Sequence, residues 1–272
     1  MEEKMNNKIG FIGCGNMAQA MINGIVKSGL TNPINIMASN PGIEKLNSAK
    51  EKYGIQVTSD NSKVAAFADI LILAVKPDKY ETVIKEIKDI VRKETVIVII
   101  AAGITTEFIC KHFERNVMVV RAMPNTSAAV GESMSALSGG KYVTKDNMDA
   151  VVAIFESFGR AEIIDEKLMD AVPAISGSSP AYVYMFIEAL ADGGVLSGIP
   201  RKQAYIMAAQ AVLGAAKMVL ETHEHPGVLK DNVCSPGGTT IEAVYTLEQN
   251  NFRGTVISAM NSCTRKTKEM SK

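Results

Sequence analysis

The chain has 272 residues, enough at about 150 per domain for two domains, and 47% of them are apolar, which supports sizeable cores. Lysine plus arginine and aspartate plus glutamate each total 29, so the formal charge is zero, and with no cationic cluster nucleic acid is not an expected partner. The longest apolar runs, Ile70 to Val75 and Val96 to Ile104, are far shorter than the roughly 18 residues needed to span a bilayer, so no membrane partner is expected.

Lys8-Ile9-Gly10-Phe11-Ile12 reads as a buried strand, followed by a helix from Asn16 to Ser28 that Gly29 stops. A second strand is expected at Ile34 to Ala38 and a second helix at Ile43 to Tyr53. Val57 begins a third strand, ahead of a short helix from Ser62 to Phe67. Ile70 to Val75 lacks polar alternation, as expected of a parallel strand covered on both faces. Lys76-Pro77 ends that strand, and Asp78 to Val91 repeats apolar residues at helical spacing. Further strands are read at Val96 to Ala102, Val117 to Met123 and Ala161 to Ile164, with a helix at Lys145 to Phe158. Such alternation predicts a doubly wound α/β domain with a parallel sheet and helices on both faces.

After Asp165 the strands stop. Ala181 to Leu196, Lys202 to Leu220, Ile241 to Gln249 and Thr255 to Lys268 read as helices. Between them stand Gly198-Ile199-Pro200, His225-Pro226-Gly227 and Ser235-Pro236-Gly237-Gly238. The expected domains are therefore 1–165, the α/β half, and 166–272, which is all-helical. Ala208, Ala209, Ala211, Gly214, Ala215 and Ala216 crowd small residues into one helix, permitting close helix contact. Helices apolar almost all round need burial, and a second copy of the chain is the expected cover.

Gly13-Cys14-Gly15-Asn16-Met17-Ala18 matches G-x-G-x-x-G/A between the first strand and the first helix. Gly13 permits the tight turn, Gly15 lets a pyrophosphate approach the backbone, and Ala18 lets the helix pack on the sheet. The helix start then offers unpaired N–H groups and partial positive charge. The plainer alternative is an ordinary turn that needs glycine for its backbone angles. The second strand ends at Ser39-Asn40 with no acid to grip a ribose 2′-hydroxyl, which favours NADPH over NADH; either residue could instead cap a helix. Lys76 and Ala101 follow strand C-termini, the edge where open α/β sheets take ligands.

In the helical half, Asp231 to Ala243 is dense in polar residues. Thr239 with Glu242 suits a capping box, and the same helix start, with Ser235 and Thr240 hydroxyls and two preceding glycines, could hold a small carboxylate. Ser176-Gly177-Ser178-Ser179-Pro180-Ala181 reads as a turn that caps a helix. His223 and His225 read as surface residues, and His112 shows no partner. The four cysteines, Cys14, Cys110, Cys234 and Cys263, lie far apart, which fits a reducing cytoplasm and no metal site.

Together these motifs closely resemble the pyrroline-5-carboxylate reductase family, and the resemblance runs over nearly the whole chain. Its most specific parts are Ser176 to Tyr182, Ala189-Leu190-Ala191-Asp192-Gly193-Gly194 and Asp231 to Ile241, with Arg121 to Thr126 in agreement. The resemblance implies a Rossmann-type domain followed by an all-α dimerisation domain, with dimers often assembled into larger rings. It implies reduction of Δ1-pyrroline-5-carboxylate to L-proline by NADPH, with NADH as the alternative donor. Carried over by position, Gly13, Cys14, Gly15, Asn16, Met17, Ser39, Asn40, Asn61, Ala74, Val75, Lys76, Pro77 and Ala101 contact the cofactor. Ser235 and the backbone of Gly238, Thr239 and Thr240 hold the substrate carboxylate, and the Thr240 hydroxyl points at the ring nitrogen. The open alternatives are a related hydroxyacid or imine reductase, and a non-catalytic NADPH sensor.

Overall fold

Four-residue strands of isoleucine, valine and leucine are the skeleton of the first half, and residues 5–270 are described in the structure, a computed structural model. The order is β1 (Ile9–Ile12), α1 (Asn16–Ser28), β2 (Ile36–Ser39), α2 (Ile43–Tyr53), β3 (Gln56–Thr58), α3 (Asn61–Phe67), β4 (Ile70–Leu73) and α4 (Tyr80–Ile87). There follow β5 (Val96–Ile99), α5 (Thr106–Phe113), β6 (Met118–Met123), β7 (Ser133–Gly139), α6 (Lys145–Glu156) and β8 (Gly159–Ile163). All eight strands form one sheet in the order β3-β2-β1-β4-β5-β6-β7-β8.

Alternate residues of β4 explain its unbroken apolar sequence: Ile70 and Ile72 enter one core, Leu71 and Leu73 the other. The first core takes Met21, Ile22 and Ile25 of α1, Leu46 and Ala49 of α2, and Ile154 and Phe155 of α6. The second takes Val64 of α3, Val83 and Ile84 of α4, and Ile109 and Phe113 of α5. Two covered faces are the doubly wound arrangement the alternation predicts.

The sheet is not wholly parallel. β7 runs antiparallel to β6, while β8 is parallel to β7. The sequence hides β7 because its buried residues include Ser133, Ser135 and Ser138 rather than an apolar run. Two more elements differ locally. Residues 33–35 form a 3-10 turn capped by the Asn32 side chain, so β2 begins at Ile36 rather than Ile34. The segment expected as one helix from Asp78 breaks into a 3-10 turn, Pro77–Lys79, and α4.

Contacts divide the described residues into 5–178 with 263–270, and 179–262. Residues 166–178 belong with the sheet because their polar groups are tied to it. Glu166 accepts hydrogen bonds from the Thr106 amide at 2.9 Å and the Thr106 hydroxyl at 2.6 Å. Asp170 pairs with the buried Arg121 guanidinium of β6 at 2.6 Å. Asn125 Nδ2 donates to the Ser176 carbonyl at 2.9 Å. The turn expected at Ser176 to Ala181 is instead a π-helical turn, Pro173–Gly177, running into a helix.

The helical unit contains α7 (Ser179–Leu196), α8 (Arg201–Thr222), α9 (Pro226–Val233), α10 (Thr239–Gln249) and the first part of α11 (Phe252–Met270). Pro226 opens α9 rather than separating helices: it occupies the first turn, where its missing N–H costs nothing, and the His225 ring caps the start. α7 and α8 meet through small residues. A Cβ on Gly194 would lie 3.3 Å from the Ala204 Cβ, and Ala191, Ala204 and Ala208 are buried. Around that contact the surface is apolar and open: Leu196 is 90% exposed, Met185 69% and Ile206 62%. α8 is long and apolar enough by length and composition to cross a membrane, although Gln210 and Lys217 keep its apolar runs short. Its alanines raise the average without making an unbroken run of large apolar residues.

Candidate functional site

The glycine loop is shaped by contacts on both sides. Gly13 sits at φ +100°, and a Cβ there would lie 2.5 Å from the Ala74 carbonyl oxygen, so only glycine fits where the β1 and β4 ends converge. The Gly13 amide donates to the Ser39 carbonyl at 2.9 Å, and the Ala74 amide donates to the Ile12 carbonyl at 2.8 Å. Gly15 is the N-cap of α1 in extended conformation, with nothing within 4 Å of where its Cβ would stand. No side chain caps α1, and its first turn carries no acid. Its first amides are therefore free of any side-chain cap, beside an open space, as a bound pyrophosphate requires.

Asn40 ties this loop to the next turn: its Oδ1 accepts from the Cys14 amide at 3.3 Å and its Nδ2 donates to the Gly42 carbonyl at 3.2 Å. Neither Ser39 nor Asn40 caps α2, whose N-cap is Gly42, so the capping alternative does not hold. Ser39 is fully buried, and its hydroxyl donates to Asn61 Oδ1 at 2.7 Å. Asn61 Nδ2 in turn donates to Glu86 of α4 at 2.7 Å. Burial pushes the Cys14 thiol above its ordinary value, an effect partly offset by the Lys45 ammonium in the first turn of α2.

The C-terminal edge continues along β4 and β5. Ala74 and Val75 are half-buried, Lys76 and Pro77 exposed, and Ala101 buried. Tyr80 lies beneath them. Its hydroxyl donates to the Leu73 carbonyl at 2.7 Å, and burial pushes that phenol far above its usual range, against the opposing pull of the Ile100 and Ala101 amides. Tyr80, Lys45 and Glu86 escape sequence reading because each acts from another helix, Tyr80 on the β4 and β5 ends, Lys45 on Cys14 and Glu86 on Asn61. The expectation that His112 lacks a partner is also wrong: its Nδ1 lies 2.8 Å from the Phe108 carbonyl and its Nε2 lies 3.8 Å from Glu81.

In the helical unit, Ser235 to Gly238 form a tight turn. Gly237 is left-handed at φ +68°, and the Gly238 amide donates to the Ser235 carbonyl at 3.0 Å. This turn starts α10 one residue earlier than a Thr239 cap would. Gly238 is the N-cap, Thr239 the first helical residue, and no side chain caps the start, so the Thr239–Glu242 capping box does not form. The Gly238 amide is spent inside the turn; the amides of Thr239 and Thr240 are the ones the helix leaves over. Ser235 and Thr239 are exposed and Thr240 is half-buried.

The comparisons divide as the motifs do. A family model described as pyrroline-5-carboxylate reductase dimerisation matches residues 166–270. Another, described as NADP oxidoreductase coenzyme F420-dependent, matches residues 8–103. The pyrroline-5-carboxylate reductase of Escherichia coli (strain K12) is 48% identical over 98% of this chain and 100% of its own length. The chain belongs to the pyrroline-5-carboxylate reductase family. A solved family member from Coxiella burnetii superposes with a TM-score of 0.94 at 36% identity, over 98% of this chain and 100% of the other. The Plasmodium falciparum pyrroline carboxylate reductase, solved with NADP bound, superposes with a TM-score of 0.88 at 33% identity, over 99% and 100%.

Proposed function

We propose that this chain reduces the C=N bond of Δ1-pyrroline-5-carboxylate to give L-proline, with NAD(P)H as reductant, as the last step of proline biosynthesis. Family membership along the whole chain carries the reading, because it joins a nucleotide-binding half to a half that nucleotide-binding proteins in general do not share. The residues present suit the cofactor: an uncapped helix start, no acid in its first turn, and open space at Gly15 where a side chain would stand.

Bound NADPH supplies the hydride for the imine carbon. The chain's part begins with Gly13, Cys14, Gly15, Asn16 and Met17, whose backbone approaches the pyrophosphate. Asn40, and Asn61 held by the buried Ser39, would form the ribose end, and Ala74, Val75, Lys76, Pro77 and Ala101 would border the nucleotide along the strand edge. The Ser235 hydroxyl with the Thr239 and Thr240 amides receives the substrate carboxylate, and Gly238 contributes by having no side chain to obstruct it. As hydride reaches the carbon, electron density moves to the ring nitrogen, which must gain a proton. A threonine hydroxyl is a weak acid, so Thr240 acts by orienting the imine and by relaying a proton from water.

The sheet unit then carries the cofactor, and the helical unit, 179–262, carries the carboxylate cradle and the dimer contact. A homodimer covers the open apolar surface of α7 and α8, and rings of dimers extend it; light scattering after size exclusion gives the subunit number. The four unpaired cysteines are consistent with a cytoplasmic setting. The test of function is oxidation of NADPH on adding pyrroline-5-carboxylate, with a hydroxyacid and an uncarboxylated cyclic imine as controls. Turnover of the hydroxyacid, or equal turnover of the uncarboxylated imine, overturns the reading.

A further inference from the structure

The polar chain from β2 to α4 carries a consequence for cofactor choice. An ionised carboxylate only accepts hydrogen bonds, so Glu86 obliges Asn61 to present its NH₂ group to it and its oxygen to Ser39. Ser39 is the last residue of β2, the position at which a Rossmann sheet meets the ribose 2′ substituent. Sequence alone finds no acid at this strand end. The fold supplies one from 47 residues along the chain from Ser39, through two hydrogen bonds of 2.7 Å each.

We infer that Glu86 is a specificity-determining residue that narrows the preference for NADPH over NADH. A 2′-hydroxyl is neutral and is not repelled by the carboxylate. A 2′-phosphate can only accept, and it brings negative charge toward a fixed carboxylate. Lys45, in the first turn of α2 five residues beyond Asn40, carries the opposite charge and favours the phosphate. Glu86 is exposed, so its influence is screened and modest.

The inference rests on the cofactor reading above. The test is equilibrium titration of each reduced nucleotide by its own fluorescence, which no tryptophan in this chain obscures. Glu86→Gln keeps the side-chain shape and still accepts from Asn61. It should tighten NADPH binding about two- to fivefold, the scale of one exposed charge interaction, with a smaller change for NADH. Glu86→Lys should move the same ratio further, and high salt should shrink the difference between parent and variant. Equal shifts for both nucleotides would mean that Glu86 only supports local structure, and an unchanged ratio would mean that its charge is not felt; each overturns the proposal alone. Failure of the unaltered chain to bind either nucleotide overturns the cofactor reading, and the proposal with it.

Discussion

Gly13 and Gly15 are two residues apart, yet their substitution by alanine should fail in opposite ways. At Gly13 a Cβ would lie 2.5 Å from the Ala74 carbonyl oxygen and 2.8 Å from its carbon, both backbone atoms that move only if the β4 end moves. Left-handed strain of about 1–2 kcal/mol adds to overpacking of about 1–3 kcal/mol, so Gly13→Ala should cost about 2–5 kcal/mol of stability. Gly15 has extended angles that any residue adopts, φ −78° and ψ −173°, and open space around it. Gly15→Ala should cost no more than about 1 kcal/mol, the penalty for alanine at an N-cap. In the proposed site, however, its Cβ occupies the space the pyrophosphate enters, and a clash of about 1–3 kcal/mol should weaken NADPH binding by about 5- to 150-fold. Urea unfolding and fluorescence titration of NADPH separate the two effects. A Gly15→Ala chain that unfolds like the parent and binds NADPH equally well would refute the assignment of the glycine cradle.

Thr240→Ala should lower kcat by about 10²-fold while leaving the NADPH dissociation constant unchanged, and Thr240→Ser should recover most of the rate; an unchanged kcat removes the hydroxyl from the chemistry. Asp170→Asn should cost about 3 kcal/mol in urea unfolding, because Arg121 is 2% exposed and its Nε already lacks a partner. Arg121→Met combined with Asp170→Asn should cost less than Asp170→Asn alone, and simple additivity would contradict the pairing. Burial raises the Cys14 thiol above its ordinary value of 9.0, so above about pH 9 the unfolded chain releases a proton that the folded chain keeps. Stability should therefore fall as pH rises from 9, and more steeply in the parent than in Cys14→Ala; equal slopes would deny the burial effect.

Elements with local stop signals were legible in the sequence. α1 and α2 have the bounds expected from their apolar spacing, because Gly29 and Gly54 take the left-handed conformation just beyond each end. Elements whose burial comes from distant partners were not. β7 is written in serines that become buried only against β6 and β8, and α5 is eight residues long, too short for its period to stand out. α9 was hidden by a proline that ordinarily signals interruption. The same division holds at the site. The glycine loop and the Ser235 to Thr240 turn are contiguous stretches with their own chemistry. Tyr80 and Glu86 act on the strand edge through bonds that only the folded chain creates.

If the proposed homodimer covers the large side chains, such as Met185 and Ile206, left outside the thin small-residue contact between α7 and α8, subunit concentration becomes a variable of folding itself. By mass action, dilution below the assembly constant exposes that greasy surface and shifts the helical half toward unfolding. Activity lost on dilution should thus return when protein is added back, even protein whose own glycine loop has been disabled. A crippled subunit can rescue a working one simply by keeping it company.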